Sequence, residues 1–169
     1  YRPLVQAPLT KFDPDAVWNV LEAAYGGTKG QEHGLRQTAE HLVKSMSLRY
    51  TTPTHMKGRL DVKAQSWSEL RFNGKRQLTY SHCNTVFEAL AALQGFCEWA
   101  EDQETAHAIR SFTRANRCYD IDVPQHSTFG AISFRTRVSS ITWSFTGAIA
   151  DKFQAFISEF GQEALAPRD

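Results

Sequence analysis

Asn73-Gly74, set between Ser68-Glu69-Leu70-Arg71-Phe72 and Lys75-Arg76-Gln77-Leu78-Thr79-Tyr80, restricts this chain more than any other feature of its sequence. Asn and Gly accept positive φ at little cost, and together they form the favoured centre of a two-residue type I′ turn between antiparallel strands. The pair predicts a β-hairpin in which Phe72 faces Lys75. That register puts Arg71 opposite Arg76, Leu70 opposite Gln77, Glu69 opposite Leu78 and Trp67 opposite Tyr80. One face of the ribbon then carries Trp67, Glu69, Arg71, Arg76, Leu78 and Tyr80. Like charges opposed across a ladder repel, so an Arg71/Arg76 pair calls for an anion or a carboxylate, and Glu69 can supply part of it.

The hairpin lies inside a chain whose periodicity alternates between helix and strand. Asp13-Pro14 reads as a cap followed by proline at the first helical position, with Val17, Val20, Leu21 and Ala24 at helical spacing. Gly26 to Gly30 reads as an interhelical connector. A second helix follows from about Gln31, with Leu35, Ala39, Leu42, Val43 and Met46 on one face, until Pro53 breaks the run. Leu60, Val62 and Ala64 then alternate with Arg59, Asp61 and Lys63, the pattern of a half-buried strand with a charged outer side. Beyond the hairpin, Asn84 is placed to cap a third helix, with Val86, Phe87, Leu90, Leu93, Phe96 and Cys97 inward. Asp102 is placed to cap a fourth, with Ala106, Ile109 and Phe112 inward and an end near Asn116.

A strand is predicted from Cys118 to Val123, stopped by Pro124. More β structure is predicted between Phe129 and Phe145, where the apolar phase shifts at Ser139-Ser140 and so implies a turn or bulge. Ile149, Phe153, Phe156, Ile157 and Phe160 mark a last amphipathic helix. Elements in this order, joined by hairpin-type connections, predict an α+β fold: a two-layer sandwich with a mainly antiparallel sheet and helices on one face. The other sheet face is left for solvent or a ligand. With 169 residues, 41 % apolar and 22 % charged, the chain is expected to form one domain over residues 1–169.

No apolar run approaches the roughly 20 residues that cross a bilayer, so no membrane partner is expected. Three cysteines without C-x-x-C spacing argue against a disulfide framework or zinc knuckle and point to a reducing, cytoplasmic compartment. The first residue is Tyr1 rather than Met, so targeting is left open at that end. Cys97, in an apolar helical stretch, reads as a core thiol.

The net charge of +1 hides a division. Residues 49–80 hold seven basic and two acidic side chains, whereas residues 84–105 hold five acidic side chains and no Lys or Arg. Such asymmetry bears on partners rather than on fold. Lys57, Arg59, Lys63, Arg71, Lys75 and Arg76 are therefore the candidate phosphate contacts, and Trp67 and Tyr80 the candidate stacking groups, of a nucleic-acid-binding or regulatory accessory protein. Arg135 and Arg137, on one side of a strand, and Arg110, near helical spacing with Arg114 and Arg117, are candidates to extend the positive surface, while Arg114 and Arg117 read first as compensation of a helix C-terminal dipole. DNA and RNA are not distinguished.

A second reading is a protein-interaction module, such as an inhibitor, immunity or adaptor protein, docking through the acidic stretch around Glu98 to Glu104 or the free sheet face. A third is a metal-dependent phosphodiesterase, since Asp120 and Asp122 project to one side of a strand with His126 just beyond. Adjacent His82 and Cys83 on an extended segment point to opposite faces and cannot pair as base and nucleophile. No nucleotide-binding loop, nucleophile elbow or other motif calls for a cofactor.

Overall fold

Seven strands and five helices are found among residues 27–116 and 120–166, which the computed structural model describes. The chain divides into two compact units, Tyr1–Leu35 and Arg36–Asp169, and the packing below is that of the second. The helix expected over residues 13–24, together with Arg117 and Cys118, lies outside the described residues.

Helix α1 runs Gly27–Ser45, so the glycine-rich stretch expected to be a connector is helical from Gly27 onward. Glycine costs a helix up to about 1 kcal/mol per residue, which a long favourable run downstream can absorb once the helix is nucleated. Ala39, Leu42, Val43 and Met46 are buried, as their spacing predicts. Strands β1 (Thr54–Met56) and β2 (Arg59–Gln65) follow, joined through Gly58 at φ +69°. Then come β3 (Ser68–Leu70), β4 (Arg76–Leu78) and α2 (Tyr80–Trp99).

Helix α2 begins at Thr79 rather than at Asn84: Thr79 is extended at φ −62°, ψ 158°, and its carbonyl accepts from Cys83 N at 2.9 Å. His82 and Cys83 are therefore helical, not extended. Asp102 caps α3 (Gln103–Ala115) as expected: its Oδ1 accepts from Thr105 N at 3.0 Å and its Oδ2 from Thr105 Oγ1 at 2.6 Å. The helix stops at Asn116, also as expected.

Strands β5 (Gln125–Phe129), β6 (Ile132–Thr136) and β7 (Ser140–Thr146) lead to α4 (Ala148–Phe160) and the short α5 (Gln162–Leu165). The main sheet has the order β1-β2-β7-β6-β5 with every neighbour antiparallel. Its inner face sends Leu60, Val62, Ala64, Phe129, Ile132, Phe134, Ile141, Trp143 and Phe145 into the core. The phase shift at Ser139-Ser140 is the β6–β7 turn, and it leaves Val138 exposed.

Aromatic rings bind the two layers. Phe145 of β7 stacks on Phe153 of α4 at 4.0 Å, Phe153 meets Phe96 of α2 edge-on at 5.3 Å, and Phe112 of α3 meets Phe129 of β5 at 5.0 Å. Each such side chain contributes roughly 1.5–3 kcal/mol by leaving water. The helices lie against this one face, which gives the α+β arrangement that the order of elements predicts.

Strands β3 and β4 form a separate ribbon, and its register differs from the predicted one by one residue. Ser68 faces Leu78, Glu69 faces Gln77 and Leu70 faces Arg76. Arg71 N donates to Lys75 O at 2.8 Å, and Gly74 N to Arg71 O at 3.0 Å, enclosing a three-residue loop with Gly74 at φ +80°. Asn-Gly serves this loop as well as the two-residue turn, because both place glycine at positive φ. The slip moves the side chains of one strand to the other face relative to its partner, so Arg71 and Arg76 are not opposed. Among the described residues of the strand predicted from Cys118 to Val123, residues 121–123 pair with β4: Leu78 N donates to Ile121 O and Val123 N to Arg76 O, with Asp122 bridged to Gln77.

Candidate functional site

The outer face of the main sheet carries the residues that alternate with the core positions. Lys63 of β2 faces Thr142 of β7, Thr142 faces Arg135 of β6, and Arg135 faces His126 of β5. These four form one row across four adjacent strands, about 5 Å from partner to partner. Asp61, Ser144, Ser133 and Thr128 form the next row. Arg137, just past β6, reaches back to Thr142 Oγ1 at 3.4 Å, and Arg135 Nη2 lies 3.4 Å from His126 Nδ1. Lys63, Arg135, Arg137 and His126 are exposed.

Charge on this face is unbalanced. Its one carboxylate among the described strand residues, Asp61, is occupied by Arg59 at 3.0 Å and accepts from Ser144 Oγ at 2.7 Å. Lys63, Arg135 and Arg137 form no ion pair among the described residues. Three uncompensated cations amid hydroxyl donors leave this surface electropositive. No Phe, Tyr or Trp occupies an outward position of the five strands.

The eight residues expected from the sequence do not converge on one spot. Lys57 and Arg59 lie at the β1–β2 end of β2, whereas the ribbon leaves its other end, roughly 20 Å of strand away. Lys63 belongs to the outer face. Arg71 Nε lies 3.3 Å from Glu69 Oε1 and its Nη2 donates to Leu78 O at 2.9 Å, so it is held within the ribbon, although Nε makes no hydrogen bond. Arg76 Nη1 lies 3.3 Å from Ser68 Oγ, and Lys75 is exposed at the ribbon tip. Trp67 and Tyr80 are both more than half exposed, so neither is a core residue.

Ribbon and face adjoin. Ser66 N donates to Ser139 O at 3.1 Å, and Ser68 Oγ to Val138 O at 2.7 Å, which sets the base of the ribbon against the turn that carries Arg137. The alternation of Arg135 with Arg137 was the sequence signal for this face. That Lys63 shares a row with Arg135 depends on long-range pairing and had no local signal.

Asp120, Asp122 and His126 are not gathered into a metal centre. Asp122 Oδ1 accepts from Gln77 Nε2 at 2.9 Å, while His126 sits on the outer face beside Arg135. No group of three or more His, Cys, Asp or Glu able to hold a metal occurs among the described residues. The acidic stretch has structural uses too: Asp102 caps α3 and Glu98 lies 3.9 Å from Arg110.

Cys83 is buried, with Sγ 3.6 Å from Leu78 O, and Cys97 is buried in the core. Burial, with Asp102 and then Glu98 nearby, pushes the Cys97 thiol up to about 12. Burial also lowers the pKa of His82, whose Nδ1 lies 3.0 Å from Thr79 Oγ1. A cleft of about 550 Å³ beside α1 and α5 holds Arg36, Lys44 and Arg49 but also Glu40 and Glu163, and Arg49 Nη2 donates to Ala164 O within it. No described helix is long and apolar enough to cross a membrane. No protein-family model, curated protein or solved structure matches the chain.

Proposed function

We propose that this chain is a nucleic-acid-binding accessory protein that holds the phosphate backbone on the open face of its main sheet. The observation that carries this reading is the in-register row Lys63, Thr142, Arg135 and His126, extended by Arg137, on the face that the described helices leave bare. Guanidinium and ammonium groups neutralise phosphates and release counterions, while Thr142, Ser133 and Thr128 add neutral donors. Contacts of this kind position a backbone and carry no sequence information.

The test is a fluorescence-anisotropy titration of labelled DNA and RNA against salt. Binding should weaken linearly in log–log form, and Lys63→Ala/Arg135→Ala/Arg137→Ala should reduce the slope by about 2–3 and the affinity at least tenfold. Absence of binding at about 50 mM salt, or an unchanged slope in the triple variant, overturns the proposal.

A second reading, a protein-interaction module, is favoured by Leu70 of the ribbon and Val138 of the β6–β7 turn, which are 68 % and 61 % exposed. Large apolar side chains grouped in the open are a mark of docking surfaces.

A further inference from the structure

Phe72 is fully exposed at the tip of the β3–β4 ribbon and Trp67 is 66 % exposed at its base. Two large rings in water forgo roughly 1.5–3 kcal/mol each of burial, and no ring contact offsets it among the described residues. The tip is nonetheless well defined. Arg71 and Lys75 close the loop, Lys75 N donates to Asn73 Oδ1 at 2.9 Å, and β4 is fastened to residues 121–123 on its other side. Phe72 is therefore presented on a braced arm.

Charge around the arm is positive, with Lys75 and Arg76 present and Glu69 engaged by Arg71. The arm also starts beside Arg137, at one end of the cationic face. A backbone lying on that face would bring its neighbouring nucleotides to the ribbon. Bases in a duplex have their faces covered by stacking, whereas unpaired bases offer theirs to aromatic side chains.

Resting on the phosphate-binding reading, we infer that the chain selects single-stranded over double-stranded nucleic acid, with Phe72 and Trp67 as the stacking groups. The two lie five residues apart, roughly 17 Å of extended chain, so they receive separate bases. The cationic face supplies affinity for either form, and the arm supplies the preference.

The experiment compares a labelled single strand of about 15 nucleotides with its own duplex, using the parent, Phe72→Ala, Trp67→Ala, Trp67→Phe and Lys63→Ala/Arg135→Ala. Phe72→Ala and Trp67→Ala should each weaken single-strand binding about tenfold and leave the duplex unchanged, and Trp67→Phe should retain affinity. Lys63→Ala/Arg135→Ala should weaken both forms. Both aromatic sites are exposed, so thermal melting should match the parent in each case. Equal binding of the two forms, or Phe72→Ala and Trp67→Ala without effect as expected of an arm that serves a protein partner, overturns the inference and leaves the phosphate reading standing. Loss of all binding in the parent overturns the phosphate reading itself.

Discussion

Gln77 Nε2 donates to Asp122 Oδ1 across 2.9 Å and joins the ribbon to a segment 45 residues further along the chain. Gln77 is buried, so its amide has no ready substitute in water. The bond fixes the arm at the same point as the backbone pair between Leu78 and Ile121.

Asp122→Ala leaves that amide unsatisfied, and the expected loss is about 1–2 kcal/mol in urea unfolding. Gln77→Met removes the donor while keeping the volume, and half-exposed Asp122 can turn to solvent, so the expected loss is smaller. Native-state hydrogen exchange should show the Leu78 amide opening faster in Asp122→Ala than in the parent.

Gly130 joins β5 to β6 at φ +60°, and a Cβ there would come within 2.6 Å of Thr105 Oγ1. Thr105 cannot swing aside cheaply, since the same oxygen accepts from Ala131 N at 3.1 Å and donates to Asp102. Gly130→Ala should therefore cost about 2–4 kcal/mol, combining left-handed strain with a clash. Gly74→Ala, at φ +80° with open space around it, meets strain alone and should cost about 1–2 kcal/mol. Equal denaturation midpoints for the two variants would contradict this assignment.

The Cys97 thiol gives a stability that depends on alkaline pH. Its folded pKa, pushed to about 12 from an ordinary 9.0, lies above the unfolded one, so the folded state holds the proton longer. The contribution is complete below about pH 9 and is lost as pH rises toward about 12. Urea midpoints should decline across that window, and Cys97→Ala should flatten the decline. In a Cys118→Ser background, a water-soluble thiol reagent should modify neither Cys83 nor Cys97 until the protein is unfolded, because both are buried.

Elements whose cause is local were legible in the sequence. Asp102 announces α3 because a side-chain cap acts within one turn, and Leu60, Val62 and Ala64 announce β2 because pleating puts alternate residues on one side. Ile149, Phe153, Phe156 and Ile157 mark α4 in the same way. Features that depend on distant partners were not legible. The type of turn at Asn73-Gly74 decides whether Arg71 faces Arg76 or Lys75, and the pair suits both turns. Asn84 has the chemistry of a cap, yet α2 starts at Thr79, whose side chain makes no capping bond.

The candidate site divides along the same line. The outward direction of Lys63 follows from short-range pattern, whereas the exposure of Trp67 does not, because Leu78 on one face of the predicted ribbon and Leu70 and Phe72 on the other leave the buried side undecided. The row that joins Lys63 to Arg135 and His126 exists because β7 enters the sheet between β2 and β6, a pairing across some 80 residues that no local signal encodes. Asp122 shows the reverse error: a carboxylate with suitable spacing for a metal is consumed by Gln77 from another element.

Alternation in β2, β6 and, from Ile141 onward, β7 means that each outward side chain has neighbours directing the core but no share in it. Lys63, Arg135 or Thr142 can thus be exchanged singly while Val62, Phe134 and Trp143 continue to specify the same architecture. Recognition and foldability are inherited on interleaved positions, so a descendant of this chain can acquire a new ligand by stepwise replacement along one side of the pleat, with every intermediate still able to fold.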